Sequence, residues 1–120
     1  MNYKFDNERP IYIQLVELIK LDIISGKIKS GSKLSSVRDF AQDIKVNPNT
    51  MQKALMELER EGLIYTERTN GKYVTDNKKL IGNVRNAYAK ALTKTYINDM
   101  LNIGFTKEEI IKYINDEGRL

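Results

Sequence analysis

The chain has 120 residues, 41% of them hydrophobic and 30% charged, and a formal net charge of +4. That suits one modest domain, or a small domain with an appended piece, and leaves too little chain for a large enclosed substrate pocket beside a core. Cysteine and histidine are both absent, which excludes disulfides and thiolate metal sites and removes the commonest general base and the commonest zinc ligand.

The sequence also has no run of about 18 apolar residues and no charged-then-apolar leader, so a cytoplasmic chain without a membrane partner is expected. It contains no glycine-rich phosphate loop and no acidic cluster with metal-ligand spacing, so neither cofactor nor metal is expected. The expected work is binding, not catalysis.

Residues 1 to 9 are polar with scattered aromatics and read as an arm or a loosely docked start. Pro10 opens a first helix with Ile11, Leu15, Leu18, Ile19 and Ile23 on one stripe, and Gly26 ends it. Lys27 to Lys33 is a turn-rich connector centred on Ser30-Gly31-Ser32, after which Leu34 allows a short extended segment. Ser35 or Ser36 caps a second helix, and Ser36 with Asp39 makes an imperfect capping box. Val37, Phe40, Ala41 and Ile44 should face inward, Arg38 and Gln42 outward.

A third helix begins with Asn47 as cap and Pro48 in the first position, where a missing N–H costs nothing. Met51, Ala54, Leu55 and Leu58 form its apolar face. Opposite stand Asn49, Gln52, Lys53 and Arg60, with Met56 the one apolar intruder. Amides and cations near a helix start can read base edges and hold phosphates. Two helices joined by a short turn, the second polar at its start, make a helix-turn-helix pattern.

Gly62 ends the third helix. Leu63 to Thr66 and Tyr73 to Thr75 read as strands, and Asn70-Gly71 between them is a hairpin signal because both residues accept positive φ. Three helices and a hairpin tipped by Arg68 and Lys72 form a winged helix-turn-helix, with those cations placed for phosphate or the minor groove. From Lys27 to Lys53 there are six cations and two anions, a local basic surface beside the reading helix.

Several spaced strings then agree with one family. Gly31-Ser-Lys-Leu-Ser-Ser-Val-Arg-Asp-Phe-Ala41, Val46-Asn-Pro-Asn-Thr50, Lys53-Ala54, Leu58-Glu59 and Glu61-Gly-Leu-Ile64 resemble the GntR family of bacterial transcription regulators over about residues 8 to 76. The Asn-Pro-Asn-Thr turn and the short tail are more similar to its YtrA-like subfamily. The resemblance implies DNA contacts from Arg38, from Asn47, Asn49, Thr50, Gln52 and Lys53, and from the wing tip. The residue reading agrees on Asn49, Gln52 and Lys53; it leaves Asn47 between cap and contact, and Thr50 between a phosphate and the local backbone. The full expected DNA-binding set is Lys33, Ser35, Ser36, Arg38, Asn47, Asn49, Thr50, Gln52, Lys53, Arg68, Asn70, Gly71 and Lys72. The chain departs from the family pattern at Ser35, where proline is usual, and at Thr69, where the wing usually has a glycine.

After a polar hinge at Asp76 to Lys79, one long helix is expected from about Leu80 to Asn102, with Gly104 breaking it. Thr106 to Glu109 is a full capping box for a last helix ended by Gly118. Two helices cannot bury two apolar faces alone, so a homodimer is expected through Val84, Tyr88, Ala91, Leu92, Tyr96, Ile110 and Ile114. The fold class is mainly α with a small β-hairpin: a winged helix-turn-helix domain over residues 1–76 and a two-helix dimerisation tail over 77–120. The expected function is a sequence-specific transcription regulator, a dimeric repressor binding double-stranded DNA at a palindromic operator. Two alternatives stand beside it. One is a sensor gated by an unidentified small-molecule effector, with Tyr88, Tyr96 and Tyr113 near Lys90 and Lys94 lining a pocket between tails. The other is a winged-helix protein-interaction module.

Overall fold

The computed structural model describes residues 2–117; the helix end expected at Gly118 lies outside them. The elements run α1 (Ile11–Ser25), α2 (Val37–Ile44), α3 (Pro48–Arg60), β1 (Ile64–Glu67), β2 (Gly71–Val74), α4 (Lys78–Asn102) and α5 (Lys107–Glu117). The chain divides into two compact units, Met1–Asn83 and Val84–Leu120, and α4 contributes to both.

In the first unit the core is built from one face of each short helix. Leu15, Ile19 and Ile23 of α1, Phe40, Ala41 and Ile44 of α2, and Met51, Ala54, Leu55 and Leu58 of α3 are all buried. Of the expected α1 stripe, Ile11 stays exposed at 37% and Leu18 half-buried, while Val16 and Ile24 are buried instead. The buried face is thus rotated from the one the spacing suggests, because α1 is apolar on more than one side. Its buried Gln14 accepts from the Asp6 N–H (2.9 Å) and donates to the Asp6 and Arg9 carbonyls (3.1 and 2.8 Å), so every polar atom of the amide is satisfied. Tyr3 donates to Asp22 at 2.7 Å. The expected loose arm is therefore docked on α1.

The hairpin closes the core from the other side. Ile64 pairs with Val74 and Glu67 with Gly71 in antiparallel register, and Leu63, Ile64 and Val74 are buried. The Leu34 N–H donates to the Lys72 carbonyl (2.8 Å) and the Val74 N–H to the Ser32 carbonyl (2.9 Å), while Lys33 bridges Tyr73. The short extended segment expected at Leu34 is thereby a third, minimal strand. Gly62, at φ +82, turns the chain out of α3, with Leu80 only 3.3 Å from where a Cβ would stand.

The long helix that follows begins in the first unit and continues into the second. The Asn77 side chain accepts from the Leu80 N–H (3.1 Å) and starts α4 at Lys78, two residues before the expected start. Asn77 thus acts as a cap inside the expected hinge. No residue of α4 is buried. Before α5 the capping box closes both ways: Glu109 accepts from the Thr106 N–H (3.1 Å) and its own N–H donates to Thr106 Oγ1 (3.3 Å). Phe105 meets Tyr113 edge to face, with ring centroids 5.3 Å apart.

Candidate nucleic-acid interface

The turn between α2 and α3 has three residues, Lys45 to Asn47. Lys45 adopts a left-handed φ of 64°, a conformation that a lysine takes only when the surroundings impose it. Its N–H and that of Val46 close onto the last turn of α2 through the Gln42 and Ala41 carbonyls (3.2 and 3.0 Å). The chain then enters α3 at Pro48, and Asn47 Oδ1 accepts from the Asn49 N–H at 2.8 Å. The acceptor of Asn47 is thus engaged by the cap, while its amide N–H groups remain available as donors on an exposed residue.

With Met51, Ala54, Leu55 and Leu58 buried, the opposite face of α3 is set. Asn49, Gln52, Lys53 and Arg60 are exposed, as is Met56 at 52%, and Thr50 is half-buried. On α2, Arg38 and Gln42 are exposed. Ser36 caps that helix by accepting from the Asp39 N–H at 3.1 Å. Ser35, at the position where the family pattern has proline, is exposed ahead of the cap and leaves the helix start regular.

One contributor escapes the linear sequence. The Lys53 ammonium lies 3.8 Å from the centre of the Tyr12 ring, within the range of a cation–π contact. Tyr12 stands at the start of α1, so a helix that supplies the core also steadies a cation on the exposed face of α3. Only the packing of α1 on α3 reveals this.

In the wing, Asn70 and Gly71 do not both take the positive φ that made them a hairpin signal. The Asn70 N–H closes back on the Glu67 carbonyl at 3.2 Å, and Glu67 pairs directly with Gly71, so Arg68, Thr69 and Asn70 make a three-residue connection. Only Gly71 has positive φ, +110°, and the Lys33 side chain lies 3.5 Å from where its Cβ would be. The glycine thus opens β2 and is not part of the connection, and none of Arg68, Thr69 and Asn70 has positive φ, so Thr69 stands without strain where the pattern has glycine. The Asn70 amide donates to Glu67 at 3.1 Å. Arg68 is exposed at the tip. Lys72 is not at the tip: it is half-buried and turned toward Glu59 of α3.

The cations divide into paired and unpaired. Lys20, Arg60 and Lys72 pair with Glu61, Glu57 and Glu59 respectively. Among the described residues, none of the six cations from Lys27 to Lys53, nor Arg68, pairs with a carboxylate. Lys33, Arg38, Lys53 and Arg68 are therefore left with their charge uncompensated around α3 and the wing. Such groups attract a polyanion most strongly.

Of the residues expected at a dimer surface, Ala91, Leu92, Tyr96 and Ile114 are exposed and Val84 and Tyr88 half-buried. Ile110 is 2% exposed and is part of the interior. Further large apolar side chains stand open beyond that set, among them Ile103 at 69% and Ile111 at 59%.

A three-helix core with an amide- and lysine-bearing helix beside a hairpin defines a winged helix-turn-helix protein. Residues 11–74 match the family described as bacterial regulatory proteins, gntR family. The HTH-type transcriptional repressor YtrA of Bacillus subtilis is 49% identical over 70 residues, 58% of this chain and 54% of that protein. A GntR family transcriptional regulator from Listeria monocytogenes has a similar structure, with TM-score 0.85, 43% identity, and 93% of this chain and 98% of that one covered. The DNA-binding domain of AraR, solved in complex with operator ORX1, matches with TM-score 0.53 and 28% identity over 62% of this chain and 92% of that one. The chain belongs to the GntR family and is a DNA-binding transcriptional regulator of that type.

Proposed function

We propose that this regulator is a cytoplasmic, dimeric repressor that occupies a palindromic operator, with residues 1–76 binding DNA and 77–120 dimerising. The observation that carries the reading is the set of uncompensated cations, Lys33, Arg38, Lys53 and Arg68, around the exposed amides of α3. In this reading α3 of each protomer enters a major groove, where Asn49 and Gln52 address base edges. Arg38 and Lys53 hold phosphates beside it. The protein acts by occupancy and catalyses nothing. A repressor name among its relatives and an operator complex among its structural neighbours support the same role. No described helix is long and apolar enough to cross a membrane, which accords with a cytoplasmic site.

The dimer is supported by the second unit. Leu92, Tyr96, Leu101, Ile103, Ile111, Tyr113 and Ile114 are each at least 40% exposed, more large apolar surface than a short solitary segment normally leaves in water. A two-fold dimer would cover it and present two reading helices to half-sites about one helical turn, roughly 34–36 Å, apart. The test is binding to a palindromic duplex from the regulator's own promoter region, at several salt concentrations and with stoichiometry. Two protomers per site and a steep salt slope are expected. Lys53→Ala and Arg38→Ala should each flatten that slope by about 0.9, one phosphate's worth. A slope unchanged by both substitutions would rule out these contacts.

A further inference from the structure

Glu59, Thr66 and Lys72 form a closed polar triangle joining α3 to both strands of the wing. A carboxylate can only accept, so the Thr66 hydroxyl donates to Glu59 Oε1 and accepts from Lys72 Nζ at 3.0 Å. Lys72 Nζ in turn lies 3.7 Å from Glu59 Oε2. Thr66 and Lys72 are direct partners in the strand register, so their side chains share one face of the hairpin, the face that carries Ile64 and Val74 into the core. The Lys72 side chain is only 17% exposed and that of Glu59 35%.

We propose that Lys72 is a positioning residue that braces the wing against the reading helix, and that the wing's phosphate contact is made by Arg68. This rests on the DNA-binding reading above. To reach a phosphate, Lys72 would have to leave both Thr66 and Glu59 in a partly desolvated setting where their attraction is stronger than in open water. Arg68 leaves nothing: it is exposed at the tip and pairs with no described carboxylate. The triangle is also electrically neutral, one ammonium against one carboxylate, and so contributes little long-range pull on DNA. What it contributes is angle. It ties the strands on either side of the Arg68–Asn70 connection to the last turns of α3, so the tip and the reading face present as one surface. Loss of the brace would leave every phosphate-seeking charge in place and lower only the fraction of chains whose wing is set.

Two measurements on the full chain test this. The first is binding of a random-sequence duplex over a salt series by the wild type, Lys72→Met and Arg68→Ala. Lys72→Met should weaken binding severalfold with the salt slope retained, while Arg68→Ala should lower the slope by about 0.9. A slope lowered by that amount in Lys72→Met would overturn the proposal, because Lys72 would then itself neutralise a phosphate. The second is urea unfolding of Glu59→Gln, Lys72→Met and the double variant, without DNA. A brace predicts that the two losses are not additive, with a coupling of about two- to fivefold in the folding equilibrium; strict additivity would overturn it. If the wild type ignored duplex at every salt concentration, the DNA-binding reading would fall and the Arg68 assignment with it, whereas the brace is decided by the unfolding cycle alone.

Discussion

The two units use the same kind of helical apolar pattern to opposite ends. In the winged unit, Leu15, Ile19, Met51, Leu55, Leu58 and Leu63 are all fully buried. By contrast, α4, most of it in the second unit, runs for 25 residues without burying one of them, and Leu92 is 69% exposed. Three short helices that cross one another, closed by a hairpin, surround a common centre with every apolar stripe. A long helix followed by an 11-residue one has no such centre, and of its apolar residues Ile110 alone is buried among those described. An apolar stripe marks where a surface is to be covered, without saying by what.

The contrast can be broken first at its strongest point. Leu58→Ala in the winged core should destabilise the chain by about 2–5 kcal/mol, read as a lower urea midpoint at any protein concentration. Leu92→Ala, by comparison, should leave the winged unit's unfolding within about 0.5 kcal/mol of wild type, as exposed substitutions do. A large loss at Leu92 independent of concentration would mean that its side chain is already covered within the chain.

Leu92→Lys combined with Ile114→Lys sharpens the tail's side of the comparison. Sedimentation should show the proposed dimer weakened at least tenfold, about 1.4 kcal/mol or more, with helix content retained. An unaltered self-association would place the interface elsewhere on the tail.

Smaller effects probe how the winged unit orders its surface. Tyr12→Leu should weaken duplex binding by about 0.5–1 kcal/mol, and Tyr12→Phe should restore it, since phenylalanine keeps the ring face over which Lys53 sits. Equal losses from both would point to the hydroxyl instead. The smallest effect concerns the arm. Burial and the neighbouring Asp22 carboxylate push the Tyr3 phenol well above its ordinary value of 10.0. A raised folded pKa stabilises fully below the unfolded value and is lost as pH rises through the folded one. Tyr3→Phe should therefore cost about 0.5–1 kcal/mol at neutral pH, and the gap should close above about pH 10. A gap constant into strong alkali would show that the phenol–Asp22 bond does not hold the arm.

Much of this molecule was legible in its sequence because the signals were local. Asn47 with Pro48, Ser36 with Asp39, and Thr106 with Glu109 announce helix starts within four residues of chain; the Asn47 cap and the Thr106–Glu109 box form as read, while at Ser36 only the serine half of the box forms. The apolar face of α3 follows from its period alone, so its exposed amides and lysine follow too. The hairpin's existence was legible but its turn was not. Asn70-Gly71 satisfies two turn types, and the Glu67–Gly71 pairing selects the longer one by aligning Ile64 and Val74 over the core.

What the sequence by itself determined, then, is the order of elements, their caps, the buried face of α3 and the family to which those features belong. The tertiary structure alone decided which charges remain free. Lys53 and Lys72 look alike in the chain, two cations in or near α3 and the wing. Packing seats Lys53 against Tyr12 on the open face and folds Lys72 onto Glu59 and Thr66. The physical reason is that an ammonium's role depends on its partners within about 4 Å, and those partners come from strands and helices whose meeting no local pattern records.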